Sequence, residues 1–179
     1  DYHMNVNLQM NYWPTYTTNM AECAEPLIDY VDSLREPGRV TAKIYAGVES
    51  TEANPENGFM AHTQNNPFGW TNPGWSFDWG WSPAGVPWIL QNCWEYYEFT
   101  GNTEYMRTHI YPMMKEEATL YDQMLMRDND GKLVSVPSYS PEHGPRTAGN
   151  TYEHSLIWQL YEDTITAAEA LGVDEAKVA

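Results

Sequence analysis

The chain has 179 residues, enough for one domain with a real core, and a formal charge of −16 from 25 acidic against 9 basic side chains. It holds no basic run or patch, which speaks against nucleic acid and anionic membrane as partners, and no apolar run approaches the ~20 residues of a bilayer span. Its 8 Trp and 13 Tyr against 4 Phe supply rings with polar tips, able to line a wet pocket as well as to fill a core.

Residues 1–13 read Asp1-Tyr2-His3-Met4-Asn5-Val6-Asn7-Leu8-Gln9-Met10-Asn11-Tyr12-Trp13. Neutral hydrogen-bonding groups crowded beside aromatic faces suit an uncharged polyhydroxylated ligand, a sugar. An amide cannot hold a proton as a general base does, so Asn5 and Asn7 can only orient a water or a hydroxyl. Catalytic work by them needs a carboxylate from elsewhere. A segment this loaded at the first residue is expected of a piece of a longer protein. The missing signal peptide then leaves localisation open, with secretion or the cell surface compatible for the full-length protein.

Helical periodicity begins with Met20, Cys23, Ala24, Leu27, Ile28, Val31 and Leu34 on one face. Pro26 starts or kinks that helix, and Pro37-Gly38 is expected to stop it. Residues 40–48 form a short strand-like or helical piece, followed by a long loop to residue 83, of a length that is usually functional. Within it Trp70, Trp75, Phe77, Trp79 and Trp81 recur among Gly, Pro and Asn, either as a platform for sugar C–H faces or as a loop folded on its own rings. Gly74-Trp75-Ser76-Phe77-Asp78 resembles a nucleophile elbow, but Asp78 occupies the final glycine position and removes the esterase reading. Asp78 is expected to be a hydrogen-bond acceptor inside the loop.

A second helix places Val86, Ile89, Leu90, Cys93, Trp94 and Tyr97 on one face and ends before Gly101. The third carries Met106, Ile110, Met113, Met114, Tyr121, Met124 and Leu125, with Pro112 as a break or a fresh start. The fourth runs from about 150 to 171, stopped by Gly172, and Asp174 has the look of an N-cap for another helix. No βαβ alternation or hairpin spacing is present, so the fold class is all-α. Cys23 and Cys93 are expected to be buried free thiols, and no metal-binding motif is present, so no metal or other cofactor is expected.

Between the last two helices lies Ser138-Tyr139-Ser140-Pro141-Glu142-His143-Gly144-Pro145. Its Pro and Gly residues fix the backbone around Glu142. A carboxylate held beside rings can be desolvated and so suited to general acid work near neutrality; a solvated loop glutamate is the alternative. His3 and His143 have no partner at ligand spacing, which favours substrate hydrogen bonding or a structural role over metal.

Three segments together resemble glycoside hydrolase family 95, the 1,2-α-L-fucosidase family. They are the opening motif, the Ser-x-Ser-Pro-Glu run at residues 138–142, and Trp94-Glu95-Tyr96-Tyr97-Glu98-Phe99-Thr100-Gly101. The resemblance implies an (α/α)6 barrel and inverting release of terminal α-L-fucose from α1,2-linked glycans, with a fucosylated oligosaccharide as partner. By this likeness Glu142 is the general acid, while Asn5 and Asn7 hold and polarise the attacking water with help from an aspartate. His3 contacts the sugar and favours L-fucose over L-galactose. Trp79 or Trp81 packs near the sugar, and His143 is a further substrate-binding candidate.

The family's aspartate lies downstream of the last helix read here. Residues 1–179 are therefore expected to be the N-terminal part of the barrel, about half of the toroid with its long aromatic-rich loop. The rest of the ring and the flanking β-domains lie elsewhere. The isolated chain is expected to be inactive and to self-associate through exposed helix faces. The alternatives are a non-catalytic sugar-binding or assembly fragment and another (α/α)6 carbohydrate-active enzyme. The scarcity of Lys and Arg counts against a uronate lyase.

Overall fold

In the computed structural model, which describes residues 2–74, 76–174 and 176, strand β1 (Tyr2–His3) turns directly into helix α1 (Asn7–Thr17). Asp1, Trp75 and most of the helix expected after Asp174 lie outside the described residues. A 3-10 turn, Ala21–Ala24, then runs into α2 (Glu25–Ser33). Pro26 sits in the first turn of α2, where its missing N–H would have had no acceptor, so it starts the helix without kinking it. The expected buried Cys23 is instead exposed, as is Met20. The tighter 3-10 turn rotates both off the face that Ala24, Leu27, Ile28 and Val31 bury.

Pro37-Gly38 does not stop the helix. The break comes at Leu34, and α3 (Arg35–Ala46) runs through both residues. Pro37 falls in the first turn of α3, where no intrahelical bond is lost. Gly38 serves a close approach: a Cβ there would stand 3.0 Å from the Phe59 Cβ and 3.2 Å from the Met60 nitrogen. The Met60 N–H indeed donates to the Gly38 carbonyl at 3.0 Å. Residues 40–48 are thus mainly helical, ending at Gly47 in the left-handed conformation.

Strand β2 (Gln64–Asn65) pairs antiparallel with β1, and the short helix α4 (Phe77–Gly80) precedes α5 (Gly85–Thr100). Next, α6 (Thr103–Tyr105), a π-helical turn Met106–Ile110 and α7 (Tyr111–Met124) make one continuous run. The π turn directly precedes Pro112, whose ring cannot fit an undistorted helix. Strands β3 (Met126–Arg127) and β4 (Leu133–Val134) form a small hairpin, and α8 (Thr151–Leu171) closes at Gly172 as its sequence predicts.

Side-chain contacts set the helix directions. Asn92 of α5 donates to the Gln9 carbonyl of α1 at 3.3 Å, and further along Phe99 stacks on Tyr16 at 5.5 Å. Trp88 meets Tyr152 near the starts of α5 and α8, and Glu98 shares a groove with Asp163 further on. Helices α1, α5 and α8 therefore run parallel in one layer, with their N-termini at one end. In the second layer α7 is antiparallel to α8, since Tyr161 donates to Asp122 at 2.9 Å and Lys115 to Asp174 at 2.7 Å. Helix α3 lies along α7: its Arg39 grips the buried Glu116 through two bonds of 2.7 and 2.9 Å, and Arg35 adds a third of 2.7 Å.

Between the layers Leu27, Ile28, Ile89, Cys93, Met113 and Ile157 belong to one apolar cluster. Each large side chain buried there stabilises the fold by about 1.5–3 kcal/mol. The described residues are mostly helical and contain no closed barrel.

The groove between α5 and α8 supplies a pH test. Burial, then Glu98 and Glu162 nearby, push the Asp163 carboxyl up to about 6 from an ordinary 3.8, against the opposing bond from Gln159. The folded state thus holds this proton more tightly than the unfolded state. Its stabilising contribution is complete below pH ~4 and lost as pH rises through ~6. Asp163→Asn is expected to be more stable than the wild type at pH 7 and equal to it near pH 4. Thermal midpoints of the two proteins compared from pH 4 to 7 decide this; a constant difference would refute the assignment.

Candidate functional site

The opening motif and the Glu142 segment are tied to one interior stretch of chain, residues 58–65. His3 pairs with Gln64, and the Met4 N–H donates to the Thr63 carbonyl at 2.7 Å. Thr63 donates to the Gly80 carbonyl at 3.3 Å, and the Ser82 N–H to Nδ1 of His62 at 3.1 Å. From that second shelf the Trp81 indole N–H reaches the Pro137 carbonyl at 3.1 Å, beside the Glu142 loop. At the start of α5, a Cβ on Gly85 would lie 2.7 Å from the Met4 carbonyl oxygen, so only glycine lets the opening segment pass there. Both segments therefore sit at the N-terminal end of the parallel helices α1, α5 and α8.

Backbone strain marks the same two segments. Among the described residues four non-glycines have positive φ: Val6 at 154°, Asn19 at 60°, Glu142 at 48° and Asp174 at 54°. Asn19 and Asp174 tolerate the left-handed region, whereas Glu142 occupies it at a cost of about 1–2 kcal/mol; Val6, at φ 154° and ψ −39°, lies outside the ordinary regions for a β-branched residue. Val6 stands between Asn5 and Asn7 at the entry to α1, so the unusual backbone lies inside the opening motif. Glu142 is the second central residue of a turn closed by the His143 N–H on the Ser140 carbonyl at 3.2 Å, with Pro141 before it. Such strain persists where the surroundings over-determine it, which is characteristic of functional sites.

The loop around Glu142 has a built frame. Ser138 and Thr147 exchange both backbone hydrogen bonds at 2.9 Å, closing residues 139–146 into a loop. Phe77 of α4 stacks on Trp81 at 5.4 Å and meets the edge of Tyr139 at 5.7 Å. The Arg146 guanidinium lies 4.3 Å over Phe77 and bonds Asp78 at 3.1 Å. Asp78 is thus an acceptor as expected, but its donor comes from the Glu142 loop and not from its own.

The chain matches the glycosyl hydrolase family 95 catalytic domain over residues 1–179. It belongs to that family. It is 33% identical over 183 aligned positions to a probable alpha-fucosidase A of Aspergillus niger, covering 98% of this chain and 22% of the relative. It is 31% identical over 180 positions to alpha-L-fucosidase 2 of Arabidopsis thaliana, covering 95% of this chain and 20% of the relative. The chain thus spans about a fifth of the length of these two relatives.

Within this family 95 segment the site residues singled out from sequence differ in setting. His3, Asn7, Glu142 and His143 are exposed, and Asn5 is half-buried. Trp79 is 59% exposed and shares with Gln64, Pro73 and Ser76 a pocket of about 140 Å³. Trp81 is only 6% exposed, its indole N–H held by Pro137, so in this chain it is a support beneath the loop. Of the remaining aromatic run, Trp70 is exposed and Phe77 half-buried, so part of the segment is folded on its own rings and part faces outward. Among the described residues no cluster of three or more His, Cys, Asp or Glu could hold a metal ion.

Sequence reasoning passed over His62 and Glu153. His62 is fully buried between Tyr45 and Trp81; its Nδ1 accepts the hydrogen bond of the Ser82 N–H, so the neutral ring carries its proton on Nε2, and burial pushes the imidazole pKa down to about 3. A lone histidine in a loop gives no sequence signal for this. Glu153 has one, the Asn150-x-x-Glu153 spacing of a helix cap, but that spacing predicts a local role only.

The strain at Glu142 yields a prediction. Glu142→Asn, which tolerates positive φ, is expected to raise stability by about 1 kcal/mol while removing the carboxyl. Chemical denaturation of the two proteins measures it, and a loss of stability would show that Glu142 is not strained.

Proposed function

We propose that this chain is part of the catalytic domain of an inverting α-L-fucosidase that releases terminal fucose from α1,2-linked glycans. The observation that carries the reading is the strained, non-glycine backbone at Val6 and Glu142, which falls on two of the three segments that carry the resemblance. Family membership and the names of the relatives support it.

In this reading Glu142 is the general acid and protonates the glycosidic oxygen as the bond breaks. Asn5 and Asn7 hold the attacking water on the opposite face of the sugar. An aspartate outside these 179 residues takes the water's proton. Inverting enzymes keep acid and base about 6.5–9.5 Å apart, which leaves room for that water. Amides suit the holding role because they orient water without competing for its proton. His3, beside Gln64 on β1, and His143, next to Glu142, offer polar contacts to the sugar hydroxyls. Trp79 offers an exposed ring for its C–H face.

The parallel helices α1, α5 and α8, backed by α3 and α7, are read as part of an (α/α)6 barrel. Their shared N-terminal end is then the pocket end. The remaining helices and the flanking β-domains belong to other parts of the full-length protein.

The test is hydrolysis of 2′-fucosyllactose by the complete catalytic domain carrying these residues. Glu142→Ala and Asn7→Ala are each expected to lower kcat by about 100-fold or more. Unchanged rates in both would sink the assignment. Turnover by the 179-residue chain alone would refute the placing of the base outside it.

A further inference from the structure

Glu153 stands in the first turn of α8, three residues after the cap Asn150. A glutamate at that position ordinarily folds back to the amide of the capping residue, completing a reciprocal cap. Here the side chain turns away from its own helix. The residue is 1% exposed, and Oε2 accepts the hydroxyls of Ser135 and Ser138, each at 2.6 Å. Oε1 accepts the Tyr139 backbone N–H at 3.3 Å. Asn150 joins the two sides: its Oδ1 takes the Glu153 N–H at 2.8 Å, and its Nδ2 donates to Ser138 Oγ at 2.6 Å.

These partners are the foot of the loop that carries Glu142. Ser138 is the residue bridged to Thr147, and Ser135 takes the Gly149 N–H on its carbonyl at 2.8 Å. A buried carboxylate is costly unless its lone pairs are satisfied. Here the satisfaction comes from the loop foot, so the loop and α8 have one favourable mutual arrangement. A free loop of serines would satisfy its hydroxyls in water and hold no fixed direction.

We propose that Glu153 is a positioning residue: by gripping Ser135, Ser138 and Tyr139 it fixes where the Glu142 carboxyl stands against the glycosidic oxygen. This rests on the reading of Glu142 as the acid. Being buried, Glu153 acts through Glu142. Its loss therefore falls on proton donation, which a sugar leaving group needs and a fluoride leaving group, departing as the anion, does not.

The complete catalytic domain is assayed on 2′-fucosyllactose and on α-L-fucosyl fluoride, with Glu142→Ala as the reference. Glu153→Gln is expected to lower kcat on 2′-fucosyllactose by about 10- to 100-fold with KM little changed, and to lower fluoride release by less than about threefold. Ser138→Ala, which keeps the carboxylate and removes one donor, is expected to show the same substrate dependence at smaller amplitude, and it decides the matter if Glu153→Gln does not fold. Equal losses on both substrates, or none on either, overturn the positioning role. If Glu142→Ala itself lacks the substrate dependence, the acid assignment fails and the positioning role fails with it. If Glu142→Ala shows it and neither Glu153→Gln nor Ser138→Ala does, only the positioning role fails.

Discussion

A loop that runs inside a protein must find partners for every backbone amide and carbonyl it carries, and residues 58–65 run inside this one. Phe59, Met60, Ala61, His62 and Thr63 are all buried, between elements that contribute no continuous sheet. The Met60 N–H is met by Gly38 of α3, the Thr63 carbonyl and N–H by Met4 of the opening segment and by Gly80, and the His62 ring by Ser82 at the approach to α5. Each of these bonds also fixes the position of the segment that makes it. Helix α3, the opening motif and the aromatic turn before α5 are therefore located by one requirement, that a buried backbone be satisfied.

The site inherits its form from that requirement. Met4 is held on the interior stretch and passes over Gly85, leaving Val6 to make the turn into α1 in a conformation valine disfavours. On the other side the Trp81 indole, the Phe77 ring and the Arg146–Asp78 pair brace the loop that holds Glu142 in a conformation glutamate disfavours. Strain at each place is of the order of 1–3 kcal/mol, comparable to a good hydrogen bond or a single buried side chain. The helical layers, with a large shared core and the Arg35–Arg39–Glu116 cluster between α3 and α7, supply far more than that. A rigid scaffold can hold two unfavourable turns facing one end.

Much of the helical skeleton was legible in the order of residues. The faces built on Leu27, Ile89, Met113 and Leu156 are buried, and Gly101 and Gly172 end their helices with positive φ. The errors came where a local rule met a tertiary partner. Pro37-Gly38 reads as a stop, but the proline falls in a first turn and the glycine makes room for Phe59. Cys23 reads as a buried helical position, but a 3-10 turn carries it outward. The long loop reads as a sugar platform or a loop folded on its own rings; residues 59–63 instead pass through the core, and Trp81, read as packing near the sugar, is a brace. At the site, Asn5, Asn7 and Glu142 were visible as chemistry because their neighbours are unusual in kind, and the resemblance gave them roles. Glu153 and His62 were not visible, because nothing near them in sequence shows what they touch.

The sequence by itself determined four of the helical stretches, those built on Leu27, Ile89, Met113 and Leu156, where most of them end, and that the two chemically loaded segments match one glycosidase family. Period, caps and rare residue clusters are local properties, written in neighbouring positions. Tertiary structure alone decided that the two segments stand at the same end of three parallel helices and that Val6 and Glu142 are the strained positions. It also decided that a helix-cap glutamate serves a loop. Those outcomes depend on which distant groups must satisfy one another once water is excluded, and that is settled only when the layers pack.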